Sequence, residues 1–193
     1  MRAVPATSHA ARYALGMAVI LALIGTPLAE PTASASAPPA VARAALVNCD
    51  VDPNALMPDA EEQAALGQIN AYREAQGLTP LAWSWALQRA ALWKSADMAV
   101  RRYASHDDGF RGWQQRIADC GYDVFDAQVA ENLAGGTPSG AEIVAQWQGS
   151  PEHDQNLLDP WMAVAGIKRV QSADVYGWYW TLELGSDPAG DLE

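Results

Sequence analysis

Residues 84–103 carry the pattern that most restricts the fold. Ser84 stands as an N-cap, and the chain from there to about Tyr103 reads as one helix with two apolar stripes. Trp85, Leu92, Ala96 and Ala99 form one stripe, and Leu87, Ala91 and Met98 form the other. A helix that is apolar on two sides is buried on two sides, so this one has to lie between other parts of the fold. Its natural cover is written at the far end of the chain. Residues 176–184 place Trp178, Trp180, Leu182 and Leu184 on one face and Tyr179, Thr181 and Glu183 on the other. That period-two alternation, rich in aromatics, is a strand pattern. A second strand is expected over residues 163–170, and the loop 171–175 makes the two a hairpin. An antiparallel sheet covered by helices satisfies both patterns.

Three further helices are predicted. The first starts after Pro58, with Asp59 as N-cap and Glu62 three residues on, as in a capping box. Leu66, Ile69 and Tyr72 share its inner face, and Gly77 ends it. A short helix is expected from Trp113 to Cys120, stopped by Gly121, and another from Ser139 to Trp147. The eight Trp are expected in the core and in the walls of a groove.

The N-terminus reads as an export signal. Arg2 and Arg12 precede an uncharged apolar run of 12 residues, 14–25, too short for the roughly 20 residues that a bilayer span needs. Small-x-small sites at Ala33-Ser34-Ala35 and Ala35-Ser36-Ala37 put cleavage near residue 35 or 37. The competing reading is an uncleaved anchor. The expected organisation is a signal peptide over 1–37, an Ala/Pro/Ser-rich linker over 38–48, one domain over 49–186 and a tail over 187–193. Half of the chain is hydrophobic, enough apolar mass for a real core.

Removing residues 1–37 takes away Arg2, Arg12 and Glu30 and leaves a net charge of −12. A chain so acidic is repelled by phosphate backbones and anionic membrane surfaces, so nucleic acid is not an expected partner. No later run is long enough for a stable membrane span. Cys49 and Cys120 are the only cysteines. An even count in an exported chain predicts one disulfide, closing a loop of about 70 residues and contributing roughly 4 kcal/mol. Two buried thiols are the alternative, and without a Cys-x-x-Cys pair redox catalysis is not expected.

Beyond the signal the chain has two histidines, each where an element ends: His106 after the second helix and His153 after Trp147. Between them lies Glu131, in Ala130-Glu131-Asn132-Leu133. Two imidazoles and a carboxylate make a candidate divalent-metal set, such as a three-ligand zinc site with an open position. The spacings match no local ligand rule, and a hydrogen-bonded loop cluster is the rival reading. Ser105 beside His106 is adjacency rather than triad geometry, and no Gly-x-Ser-x-Gly elbow is present.

The order of motifs resembles the CAP superfamily, also called the SCP domain, and its short secreted bacterial branch most of all. The matching pieces are Ile69-Asn70, Tyr72-Arg73, Gly77-Leu78 and Pro80-Leu81; Ala99 to Ser105-His106; Ala130-Glu131-Asn132-Leu133; Trp147, Ser150-Pro151, His153, Asn156 and Leu158; and Gly166-Ile167 with Tyr179-Trp180. They span residues 59–185. The resemblance implies an α+β fold, a three-layer α-β-α sandwich with a central antiparallel sheet and an open cleft. It implies that His106, Glu131 and His153, with Asn132 and Asn156 beside them, line that cleft. It also implies that a divalent cation such as zinc binds there in some members. The second glutamate of the family pattern falls on Ser150, and Glu152 stands where glycine is common. The segment from His106 to Trp113 is shorter than usual.

Three functions follow as expectations. One is a secreted, non-enzymatic module that binds a small molecule, a lipid or a protein. Another is a metal-dependent hydrolase using His106, His153 and Glu131. The third is a structural cell-envelope protein without a ligand.

Overall fold

The computed structural model describes residues 49–191. The signal-peptide, cleavage-site and linker readings on residues 1–48 lie outside the described residues, as do the last two residues of the tail. After a 3-10 turn at Pro53–Ala55, five α-helices and four strands follow in chain order. They are α1 (Ala60–Ala75), β1 (Ala82–Trp83), α2 (Trp85–Arg101), α3 (Trp113–Asp119), β2 (Val129–Gly135), α4 (Gly140–Gln148), α5 (Pro151–Leu157), β3 (Val164–Gln171) and β4 (Trp178–Gly185).

The sheet order is β1-β3-β4-β2. β3 pairs antiparallel with β4, and β4 antiparallel with β2. These three strands make the antiparallel sheet expected, and the two-residue β1 adds to its edge parallel to β3. It can do so because Pro80 and Leu81 bring the chain back from α1 before α2 starts. Two apolar clusters flank the sheet. Leu66, Ile69, Ile143, Trp147, Trp180 and Leu182 pack α1 and α4 on one face. Leu87, Ala90, Trp93, Ile117, Tyr122 and Val164 pack α2 and α3 on the other. The result is the three-layer α-β-α sandwich.

The capping box of α1 is present: Asp59 accepts from the Glu61 and Glu62 N–H groups, and Glu62 accepts from the Asp59 N–H at 2.9 Å. Glu62 also takes an ion pair from Lys168 and the Arg169 N–H, both of β3, so one cap ties helix to sheet. The inner face of α1 is Ala65, Leu66, Ile69 and Arg73. Tyr72, expected there, is half-buried and donates to Asp154 instead. Arg73 is fully buried and donates to the carbonyls of Thr79, Leu157, Asp159 and Met162, locking the turn that leads into β3.

α2 is buried on both sides from Ala86 to Met98, but for Arg89, while Trp85 at its start is exposed rather than buried. Its fit on the sheet depends on Gly166, where a Cβ would run into the backbone of Leu87 and Gln88. Cys49 and Cys120 form a disulfide. Residues past 186 contact the rest of the fold: Asp191 accepts from Ser84 and from the Trp85 N–H, and Tyr122 donates to the Asp187 carbonyl.

Candidate functional site

The three expected site residues come from three different elements around the free side of β2. His106 lies in the loop that leaves α2 through a left-handed turn at Arg102. Buried Asp108 shapes this loop by accepting the Phe110 and Arg111 N–H groups at 2.8 and 2.9 Å. Arg101 donates to the Asp108 carbonyl, and Tyr103 donates to Asp97 while accepting from Lys94. Lys94 is itself fully buried. Burial first, and the charge of Arg116 second, bring its pKa down to about 8.

Glu131 sits in the middle of β2 with its side chain turned toward the α2 layer, opposite Glu183 of β4. Its carboxylate is buried and engaged at both ends. Oε1 meets Nδ1 of His106 at 2.8 Å, and Oε2 accepts from the guanidinium of Arg116. Arg116, on α3 and fully buried, also donates to the His106 carbonyl at 3.2 Å. Burial alone would push the Glu131 carboxyl up, but the His106 hydrogen bond and the Arg116 charge together hold it below its ordinary value. An ionised carboxylate accepts only, so Nδ1 of His106 carries the proton and Nε2 is left facing the cleft.

His153 is in the first turn of α5. Asn132, fully buried on the opposite face of β2 from Glu131, donates to the His153 carbonyl at 3.0 Å and accepts from Asn156 at 2.8 Å. The two asparagines therefore dock α5 against β2. Burial, and then the charge of His106, hold the His153 imidazole below its ordinary value. Two cavities meet at His106. One of about 230 Å³ is bounded by His106, Trp113, Val129, Glu131 and Asn156. The other, about 250 Å³, brings His106 and His153 together with Leu133, Tyr176 and Tyr179.

The three residues do not arrange themselves as three ligands. Glu131 stands behind His106, bonded to it and to Arg116, with its side chain only 1% exposed. Among the described residues no group of three His, Cys, Asp or Glu is gathered to hold a metal ion. A catalytic zinc site takes three protein ligands, and the groups present do not fit one. What the arrangement does provide is one imidazole oriented by a carboxylate and a second, largely neutral imidazole across a mostly apolar cavity.

Sequence reasoning missed Arg116 and Glu183, the two buried partners of Glu131. Glu183 is fully buried, and neither of its oxygens has a hydrogen-bond donor. Arg116 Nη2 stands 3.8 Å from Oε1, beyond hydrogen-bonding range. Burial, then the neighbouring Glu131 charge, push the Glu183 carboxyl well above its ordinary value. The signal available was the position of Glu183 in an otherwise apolar and aromatic strand.

Residues 66–184 match the model of the cysteine-rich secretory protein family, CAP. The chain belongs to the CAP family. It is 29% identical over 117 residues to the uncharacterized protein YkwD of Bacillus subtilis (strain 168), covering 61% of this chain and 45% of that one. The chain thus spans less than half the length of that curated relative. Two solved structures share its fold. An outer surface protein of Borrelia burgdorferi superposes with a TM-score of 0.57 at 20% identity, covering 65% of this chain and 91% of that one. An extracellular SCP-domain protein of Bacillus anthracis str. Ames superposes with a TM-score of 0.51 at 25% identity, covering 63% of this chain and 39% of that one. Among the described residues of this CAP domain no helix is long and apolar enough to cross a membrane.

Proposed function

We propose that this CAP protein is exported and works as a non-enzymatic binding module whose ligand enters the cleft between His106 and His153. The observation that carries this reading is the state of Glu131. Its carboxylate is buried and bonded at both ends. It holds His106 in place, and its side chain is almost wholly buried. A general base must reach the proton it takes, and Glu131 does not. The cleft offers two rings, the aromatic walls of Tyr176 and Tyr179 and the apolar side chain of Leu133, which suit recognition rather than bond cleavage.

A metal-dependent hydrolase is the second reading, favoured by the sharing of one cavity by His106 and His153. Zinc titration calorimetry separates the two. Wild type and His153→Ala are expected to give equal, negligible heats. A stoichiometric heat in wild type that disappears in His153→Ala would overturn the binding-module reading. A structural role is tested with a second variant, His106→Ala. His106 is half-exposed, so His106→Ala is expected to cost less than about 2 kcal/mol of stability; a much larger loss would make the cluster structural.

A further inference from the structure

The strand that floors the cleft has one unpaired edge. β2 is the last strand of the sheet, bonded only to β4. Its register assigns each backbone group a direction. The Gly136 N–H donates to the Trp178 carbonyl, and the Ser186 N–H donates to the Gln128 carbonyl, so the even-numbered residues of this stretch face β4. In an antiparallel ladder the alternate residues point their N–H and C=O groups the other way. Val129, Glu131, Leu133 and Gly135 therefore aim theirs at the open edge, and among the described residues none of these groups has a partner. Long edges of this kind are normally covered, charged or interrupted. Here the first half of β2 borders one cavity, through Val129 and Glu131, and its second half the other, through Leu133 and Gly135, with His106 bonded to Glu131 on one face of the strand and α5, bearing His153, docked on Asn132 on the other.

From this we infer that the cleft of the proposed binding module takes an extended, positively charged polypeptide segment, which adds to β2 as a fifth strand. The inference rests on the binding reading above and names its ligand class. The backbone requirement follows from the geometry: four outward residues over a strand of seven offer a ladder of roughly 20 Å. The charge follows from the surface. The described residues hold nine Lys and Arg against 21 Asp and Glu, a net charge of −12. The acidic floor is neutralised from within, since Arg116 pairs with Glu131. Two exposed carboxylates are not: Asp107 follows His106 in the chain and Glu152 precedes His153. A cationic segment is steered in and held, whereas a second copy of this chain, equally acidic, is repelled.

The probe is an acetylated and amidated heptapeptide of alternating Lys and Val. It is made in three versions: unmodified, N-methylated at the Val amides, and N-methylated at the Lys amides. N-methylation deletes the donors along one edge of an extended strand and leaves the charge untouched. The unmodified peptide is expected to bind. One methylated version should bind at least tenfold more weakly, and the other, methylated on the outward edge, should hold within about threefold. In amide-exchange NMR the N–H groups of Glu131, Leu133 and Gly135 should gain protection of tenfold or more with the peptide. Equal weakening by both methylations, or binding without protection at those three amides, overturns strand addition while leaving the cleft as a binding site. No binding at millimolar peptide overturns the ligand class, and the stability of His106→Ala still judges the binding reading on its own. Protection that grows with protein concentration without peptide would assign the edge to self-pairing and overturn the inference.

Discussion

Glu183 shows how much a single residue can decide beneath this cleft. It faces Glu131 across the β4–β2 pair, fully buried, with no donor to either oxygen. Two carboxylates that close share a proton, because both cannot ionise in a dry site beside a single guanidinium. Burial and the Glu131 charge raise Glu183 well above its ordinary value, so the folded chain keeps a proton that the unfolded chain releases. Stability from this group is full below the unfolded value of about 4.5 and falls as pH rises toward the folded value. Gln is neutral and nearly isosteric, so it carries no charge to be lost or gained as pH changes. Glu183→Gln is therefore expected to match wild type in melting temperature near pH 4 and to exceed it increasingly toward pH 8. A variant that is less stable than wild type at pH 8 but equal at pH 4 would show that Glu183 is ionised in the fold. The residue was not legible as buried because strand alternation put it with Tyr179 and Thr181 on the less apolar face, and only the cover of α2 makes that face interior. The motif order singled out His106, Glu131 and His153 as the expected cleft residues. Their roles were not legible, since the partner that engages Glu131 comes from α3, in a stretch with no motif.

At the scale of elements, the capped and periodic segments were readable, the short α3 and α4 among them, while β2 and α5 were not. α1 and α2 carry caps and 3.6-residue stripes, and β4 carries alternation, so their bounds come out within two residues of expectation. β2 holds Glu131 and Asn132 at its centre, and only pairing with β4 makes that polar segment a strand. α5, with Pro151 at its first turn, is two turns long, too short for a period to show. One contact between elements has a sharp consequence. α2 crosses β3 at Gly166, where a Cβ would meet the backbone of Leu87 and Gln88. Backbone cannot rotate away as a side chain can, so Gly166→Ala must push α2 off the sheet. The expected cost is about 1–3 kcal/mol or more, read as a lower urea midpoint at constant slope. Gly67 is the control. It lies exposed inside α1 with nothing within 4 Å of an added Cβ, so Gly67→Ala should raise stability by up to about 1 kcal/mol. Equal effects at the two sites would mean that α2 does not sit as closely on β3 as described.

For the molecule as a whole, the disulfide links the start of the described chain to the end of α3. Cys49 and Cys120 are 71 residues apart and enclose α1, β1, α2 and α3. The loop therefore contains His106 and Arg116, while Glu131, His153 and Glu183 lie outside it. Two mechanisms could make the bond matter, and they predict different things. If it acts on the unfolded chain, its loss costs loop-closure entropy of about 4 kcal/mol and leaves the folded cleft as it was. If it acts by holding α3 in place, its loss also frees Arg116 from Glu131 and uncouples His106. The packing decides between them. Ile117 and Tyr122 beside the cysteines are fully buried, and Arg116 is fixed by bonds to Glu131 and to the His106 carbonyl that do not involve the bridge. α3 should thus stay docked without it. Paired Cys49→Ala and Cys120→Ala substitutions are expected to lower the melting temperature by about 10–15 °C, the equivalent of some 4 kcal/mol at this size. Below that temperature the imidazole resonances of His106 and His153 should keep their wild-type chemical shifts. An unchanged melting temperature would remove the entropic account. A displaced His106 resonance, with the fold otherwise intact, would mean that the bridge is part of the cleft's architecture.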